Sequence, residues 1–270
     1  MLIYRILTAI ILIPLVLVGI FLSADSTFVI IMALIGALAS WEWSGLIPIQ
    51  SHVYRGLYVF LFLVFFFGYY QLHIPETKTL LLASVLWIWA GLAVVFFAKN
   101  KGSLGWGSST IKYIFGIAML VIFAFCVLQI RNSVGSLGLL FGLCMVWASD
   151  TGAYFVGKKW GKHRLAERVS PKKSWEGVWG GAALAVMVYL LFVYYAASTF
   201  VGVDFGKGVI TVLCIVIAAI FGDLFESMLK REINVKDSGH LLPGHGGILD
   251  RIDALLAALP IFAILVKFFG

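Results

Sequence analysis

Gly222 to Asp253 reads GDLFESMLKREINVKDSGHLLPGHGGILDRID. Apolar runs overlap both of its ends, Val209–Leu229 before it and Ile248–Phe269 after it. Each run is long enough to cross a bilayer core, which takes about 20 mainly apolar residues. The charged stretch therefore reads as a polar junction between two membrane helices, and the fold class as an all-α polytopic integral membrane protein. Within the junction, Asp223, Glu226 and Ser227 stand at i, i+3 and i+4, so on a helix they share a face. Asp250 and Asp253, at i and i+3, share a face of the next helix. Lys230, Arg231 and Lys236 place positive charge between them, with Asp237 alongside. His245, Gly246 and Gly247 fall where the last helix begins, so its N–H groups and the small glycines suit a phosphate. Carboxylates for a divalent cation, amines for phosphates and a glycine turn at a helix start together describe a phosphoryl-group site.

The rest of the chain agrees with the membrane reading. Of 270 residues, 62% are hydrophobic and 12% charged, and the mean hydropathy is +1.03. No soluble domain hides that much apolar surface. In this setting a net charge of +7 points to loops on the cytoplasmic side and to anionic headgroups, not to nucleic acid. Cys126, Cys144 and Cys214 all lie in apolar runs and read as packing residues. The apolar run Ile6–Leu22 after Arg5 is long for a signal peptide and has no small-x-small cleavage site, so it reads as an uncleaved first helix.

Hydropathy marks about nine spans, near Ile6–Leu22, Thr27–Ile47, Leu57–Ile74, Thr79–Ala98, Ile111–Ile130, Leu137–Phe155, Gly177–Phe200, Val209–Leu229 and Ile248–Phe269. Residues 1–135 form an N-terminal helix region. Residues 136–270 form a catalytic region with loops 158–175 and 230–247. If the spans alternate, most of the 20 Lys and Arg residues share the side of the N-terminus. Only Lys78, Arg131, Lys207 and Lys267 fall opposite, and Arg251 lies inside the ninth span. The charged side is then cytoplasmic and the C-terminus is outside.

That topology brings four aspartates to one depth. Asp150 and Asp223 lie about 12 Å and about 10 Å before the basic segments that follow them, and Asp250 and Asp253 occupy the first turns of the ninth span. Carboxylates at such depth are costly alone and favour a shared cation. Asp223 and Asp250 are the leading ligands for Mg²⁺, with Asp253 beside them and the Ser227 hydroxyl in reach. The plainer alternative is that Asp250 caps the ninth helix and Asp223 pairs with Lys230 or Arg251. Glu226 and Asp253 stand evenly between site and structural roles, and Glu42, in Trp41-Glu42-Trp43, reads as interfacial. In Ser170-Pro171-Lys172-Lys173-Ser174, proline stiffens a turn and the lysine pair precedes a helix start, a setting for substrate phosphates.

The string from Ser227 to Asp253 resembles the signature of the phosphatidate cytidylyltransferase (CDP-diglyceride synthetase) family, with no departure at its fixed positions. The resemblance extends to SDTGAYFVGKKWGKHRLAERVSPKKSWEG, Ser149 to Gly177. It implies an enzyme of phospholipid biosynthesis in the cell (inner) membrane. Such an enzyme transfers a cytidylyl group from CTP to phosphatidic acid with Mg²⁺, giving CDP-diacylglycerol and pyrophosphate at a cytoplasmic site. It implies catalytic roles for Asp223, Asp250, Lys230, Arg231 and His245. Substrate contacts would come from Lys172, Lys173, Ser227, Lys236, Asp237, Gly246, Gly247, Arg251 and Asp150. A homodimer is left open. The compact D-x2-D-G-x2-A-R motif of CDP-alcohol phosphatidyltransferases is absent. A cation-coupled transporter using the buried carboxylates is the alternative from another class, and it gives no reason for so many convergent amines.

Overall fold

The computed structural model describes residues 2–47, 49, 51–99, 104–195, 204–241 and 246–269, with side chains from residue 10 onward. Eight helices make up most of it: α1 Leu2–Phe21, α2 Asp25–Leu46, α3 His52–Gln71, α4 Glu76–Ala98, α5 Ser109–Trp160, α6 Trp175–Tyr195, α7 Phe205–Glu232 and α8 Leu249–Phe269. Seven of them are long and apolar enough to cross a membrane, and α1 adds the shorter described apolar stretch Ile10–Phe21. The chain is thus a multi-pass membrane protein. Large apolar side chains on its outer faces, such as Ile88, Phe65 and Ile114, are exposed, as lipid-facing residues must be.

The fifth and sixth expected spans are one 52-residue helix, α5, interrupted at Gly135 (φ 73°, ψ −180°). At about 1.5 Å per residue a straight helix of that length would far exceed a bilayer. It does not run straight. Lys112, in its first turn, pairs with Glu232 at the end of α7 at 2.7 Å. Beyond its other end, Val169 accepts a hydrogen bond from Arg231 at the same end of α7. Both ends of α5 therefore lie at one end of the bundle. The reversal sits at the other, where Ser136 donates to the Ile20 carbonyl and Arg131 to the Ser23 carbonyl. With α5 running along the bundle twice, the eight described helices make nine runs, the number of apolar spans read from hydropathy.

The loop between α5 and α6 is more ordered than a turn. It forms an antiparallel hairpin of β1 (Arg164–Ala166) and β2 (Ser170–Ser174). Pro171 lies in β2 and does not make the turn. A two-stranded sheet has only edge strands, where a missing N–H is tolerated. Glycines bring α5 and α6 together: a Cβ added at Gly181 would stand 2.6 Å from the Ser149 carbonyl. Small residues permit this close backbone approach between membrane helices. The core joins both halves of the chain. Phe225 of α7 stacks or edges against Trp43, Trp87, Trp106 and Phe115, all from the first half.

Candidate active site

The site is assembled where β2, the end of α7 and the start of α8 meet. Helix spacing puts Asp223, Glu226, Ser227 and Lys230 on one face of α7, and the structure uses that face. Ser227 Oγ donates to Asp223 Oδ1 at 3.2 Å. Lys173, delivered by β2, forms an ion pair with Asp223 Oδ2. Both partners keep about a quarter or more of their surface open, 26% and 30%, so a soluble substrate can reach the pair. Lys230 is deeper. Its Nζ donates to Glu226 Oε2 at 2.8 Å and to Asp250 Oδ1 at 2.7 Å, bridging α7 and α8.

Asp250 is the joint of the cluster. Its second oxygen accepts from Ser238 N at 2.9 Å, Ser238 Oγ at 2.9 Å and Gly247 N at 2.8 Å. With Lys230, four donors engage the carboxylate, three on Oδ2 and one on Oδ1. Asp250, expected to lead the metal ligands, is thus engaged by the protein on both oxygens, as Asp223 is by Ser227 and Lys173. It also limits the expected glycine cradle. The Gly247 amide is held by Asp250 and the Leu249 amide by Glu42, at 2.7 Å. Two donors of the helix start are thus filled by carboxylates from the chain itself. Gly246 takes φ +82°, and a Cβ there would stand 2.8 Å from Asp250 Oδ2, which is why a glycine is needed. His245 lies outside the described residues.

A second group of carboxylates stands next to this joint. Glu226 is 1% exposed, and its Oε1 is buried without a hydrogen-bond partner among the described residues. Asp253 lies against Glu226 and within electrostatic range of Asp223. Asp150 is open to its surroundings and within range of Lys173, Asp223 and Arg251. Two carboxylates within hydrogen-bond reach of each other, Glu226 and Asp253, are donor chemistry that a hard divalent cation satisfies. The residues that fit one are Asp223, Asp253 and Glu226. Among the described residues no three His, Cys, Asp or Glu side chains are already placed to hold a metal ion.

The remaining expected site residues are arranged around this centre. Arg231 is exposed, with its Nε anchored on the Val169 carbonyl at 3.3 Å. Lys172, Lys236, Asp237 and Arg251 are exposed at the same end of the bundle. Sequence reasoning missed Ser238, which ties the loop to Asp250, and the Lys112–Glu232 pair that braces the end of α7. It also undervalued Glu42. That residue is 3% exposed, within reach of Ser238 Oγ at 3.5 Å, and bonded to α8. Its one visible signal was a carboxylate inside an otherwise apolar helix.

Fold and site define a polytopic membrane protein with a charged, phosphate-compatible centre at one end of its bundle. The chain belongs to the Cytidylyltransferase family, whose profile matches residues 3–269. It is 35% identical over 278 residues to the phosphatidate cytidylyltransferase of Haemophilus influenzae, covering 96% of each chain. It is 37% identical over 263 residues to that of Pseudomonas aeruginosa, covering 97% of this chain and 96% of the other. A 44% match to the Staphylococcus aureus phosphatidate cytidylyltransferase covers 132 residues, 47% of this chain and 48% of that one.

Proposed function

We propose that this protein transfers the cytidylyl group of CTP to phosphatidic acid, giving CDP-diacylglycerol and pyrophosphate. The observation that carries the reading is the meeting of Lys173 and Asp223 beside the Lys230 bridge, in a chain similar over its length to phosphatidate cytidylyltransferases. An ionised oxygen of the lipid phosphate attacks the α-phosphorus of CTP. The new P–O bond forms as the bond to the α–β bridging oxygen breaks, and pyrophosphate leaves with that oxygen. Both reactants are anionic, so positioned positive charge lowers the barrier. Lys172 and Lys173 on the hairpin, with Arg231, Lys236 and Arg251, receive the phosphates. Lys230 holds Glu226 and Asp250 in register. No strong general base is required, because the attacking oxygen already carries charge.

Mg²⁺ fits this reading, and Asp223 and Asp253, with Glu226 beside them, would hold it. When bound it would neutralise charge on the triphosphate and on the leaving pyrophosphate. The charged end of the bundle faces the cytoplasm in this proposal, by its excess of Lys and Arg, and the membrane is the cell's inner membrane. The test uses purified protein in lipid nanodiscs with CTP and phosphatidic acid. Pyrophosphate and CDP-diacylglycerol should appear in equal amounts, and should stop on chelation and resume with Mg²⁺. Absence of the lipid product overturns the reaction, and turnover indifferent to chelation overturns the metal.

A further inference from the structure

We propose that Glu42, from the N-terminal half of the chain, is a positioning residue for the active site. Its side chain spans from α2 to the start of α8. Oε2 accepts the Leu249 amide at 2.7 Å and lies 3.5 Å from Ser238 Oγ, the same hydroxyl that donates to Asp250 at 2.9 Å. Two carboxylates distant in sequence thus grip one turn, Asp250 from within it and Glu42 from the opposite helix. The fit is close. A Cβ added at Gly247 would lie 2.6 Å from the Glu42 carboxyl carbon, and one at Gly239 would lie 2.7 Å from it. Glycine at both places lets the loop close over Glu42. Trp43, the next residue, fixes α2 by donating to the Lys112 carbonyl at 3.0 Å and packing on Phe225. Glu42 therefore stands on a rigid support. It sets where α8 begins, and with that the placement of Asp250 and Asp253 against Asp223 and Glu226 on α7. A buried carboxylate filling a helix N-terminus is stabilised by the amides it accepts from, so the contact is strong enough to fix the register.

This rests on the cytidylyl-transfer reading, and the test separates the two. Full-length Glu42→Gln, Glu42→Asp and Glu42→Ala proteins are purified in nanodiscs. Each is assayed for kcat and KM with CTP and phosphatidic acid, and amide exchange is followed at residues 246–250. Gln is isosteric and its carbonyl still accepts from Leu249, so it should retain turnover within about threefold. Asp is one methylene shorter and withdraws from the amide. Its kcat should fall by about 10²-fold, the scale of a misplacement near 1 Å, with KM for CTP little changed and faster exchange at Leu249. Ala should behave like Asp. If Ala does not fold, the contrast of Gln with Asp decides. Unaltered kcat and exchange in folded Glu42→Asp overturn the proposal, as does a Gln protein as impaired as Asp. If the unsubstituted protein makes no CDP-diacylglycerol, the reaction reading fails while the exchange data still judge the role of Glu42 in holding α8.

Discussion

At the scale of single residues, the cluster separates groups that grip one another from groups left open to substrate. Asp250 belongs to the first kind. In Asp250→Asn the amide oxygen can still accept from Gly247 and Ser238, but its nitrogen then faces the Lys230 ammonium, donor against donor. A lost charge-assisted hydrogen bond commonly costs about 1.5–3 kcal/mol. We expect a loss of turnover of tenfold or more, roughly the equivalent of 1.4 kcal/mol per decade. Because Asp250 acts as a joint, raising Mg²⁺ should not restore activity; a Mg²⁺ titration that recovers it would return Asp250 to the metal. The lysine pair divides in the same way. Lys173 is committed to Asp223, whereas Lys172 is exposed. Lys173→Ala strands Asp223 and should raise KM for CTP by about 10-fold or more. Lys172→Ala removes an exposed charge, worth about 0–1 kcal/mol, and should change KM by less than about fivefold. Equal effects in steady-state kinetics would remove the distinction between them.

At the scale of elements, helix periodicity made much of the site legible before any coordinates. The i, i+4 spacing of Asp223 with Ser227 appears as a contact, whereas Lys230, offered as a partner for Asp223, bonds Glu226 and Asp250 instead. Partners across elements were not legible, because nothing in a one-dimensional pattern says that Lys173 reaches Asp223 or that Glu42 reaches Leu249. The hairpin was missed for a related reason. Its strands are short and polar, without the alternation that marks a strand. The reversal in α5 was visible only as two apolar runs parted by Arg131, Asn132 and Ser133, and the structure turns the chain at Gly135, just beyond them. There the backbone occupies a region open essentially to glycine alone. A Cβ at this position meets nothing within 4 Å, so the penalty in Gly135→Ala is purely conformational, about 1–3 kcal/mol. Thermal unfolding in detergent should show a lower midpoint with KM values unchanged. A midpoint equal to the parent's would mean that the turn relaxes without penalty.

At the scale of the whole molecule, hydropathy located the rods but not their neighbours. Lipid-facing and protein-facing surfaces of a membrane helix are both apolar, so the side that packs cannot be read from polarity. For that reason the first half of the chain read as a plain run of membrane helices. In the structure it supplies Glu42, the Trp43 support and Lys112 to the end of the bundle that holds the site. Contacts at both ends orient several of the passes. Phe97, at the end of α4, lies under Arg168 of the hairpin, at the site end. At the far end Lys267 of α8 pairs with Glu76 of α4 at 3.2 Å. Lys172 and Lys267 thus mark opposite ends, separated by the three passes of α6, α7 and α8. Single-cysteine proteins test this. With Cys126, Cys144 and Cys214 replaced, Lys172→Cys should react with an impermeant maleimide only when the cytoplasmic face is opened. Lys267→Cys should react in intact cells, which expose the other face. The excess of Lys and Arg at the site end sets this direction. Labelling of both cysteines from one face would mean that one of the three passes between them, α6, α7 or α8, does not cross.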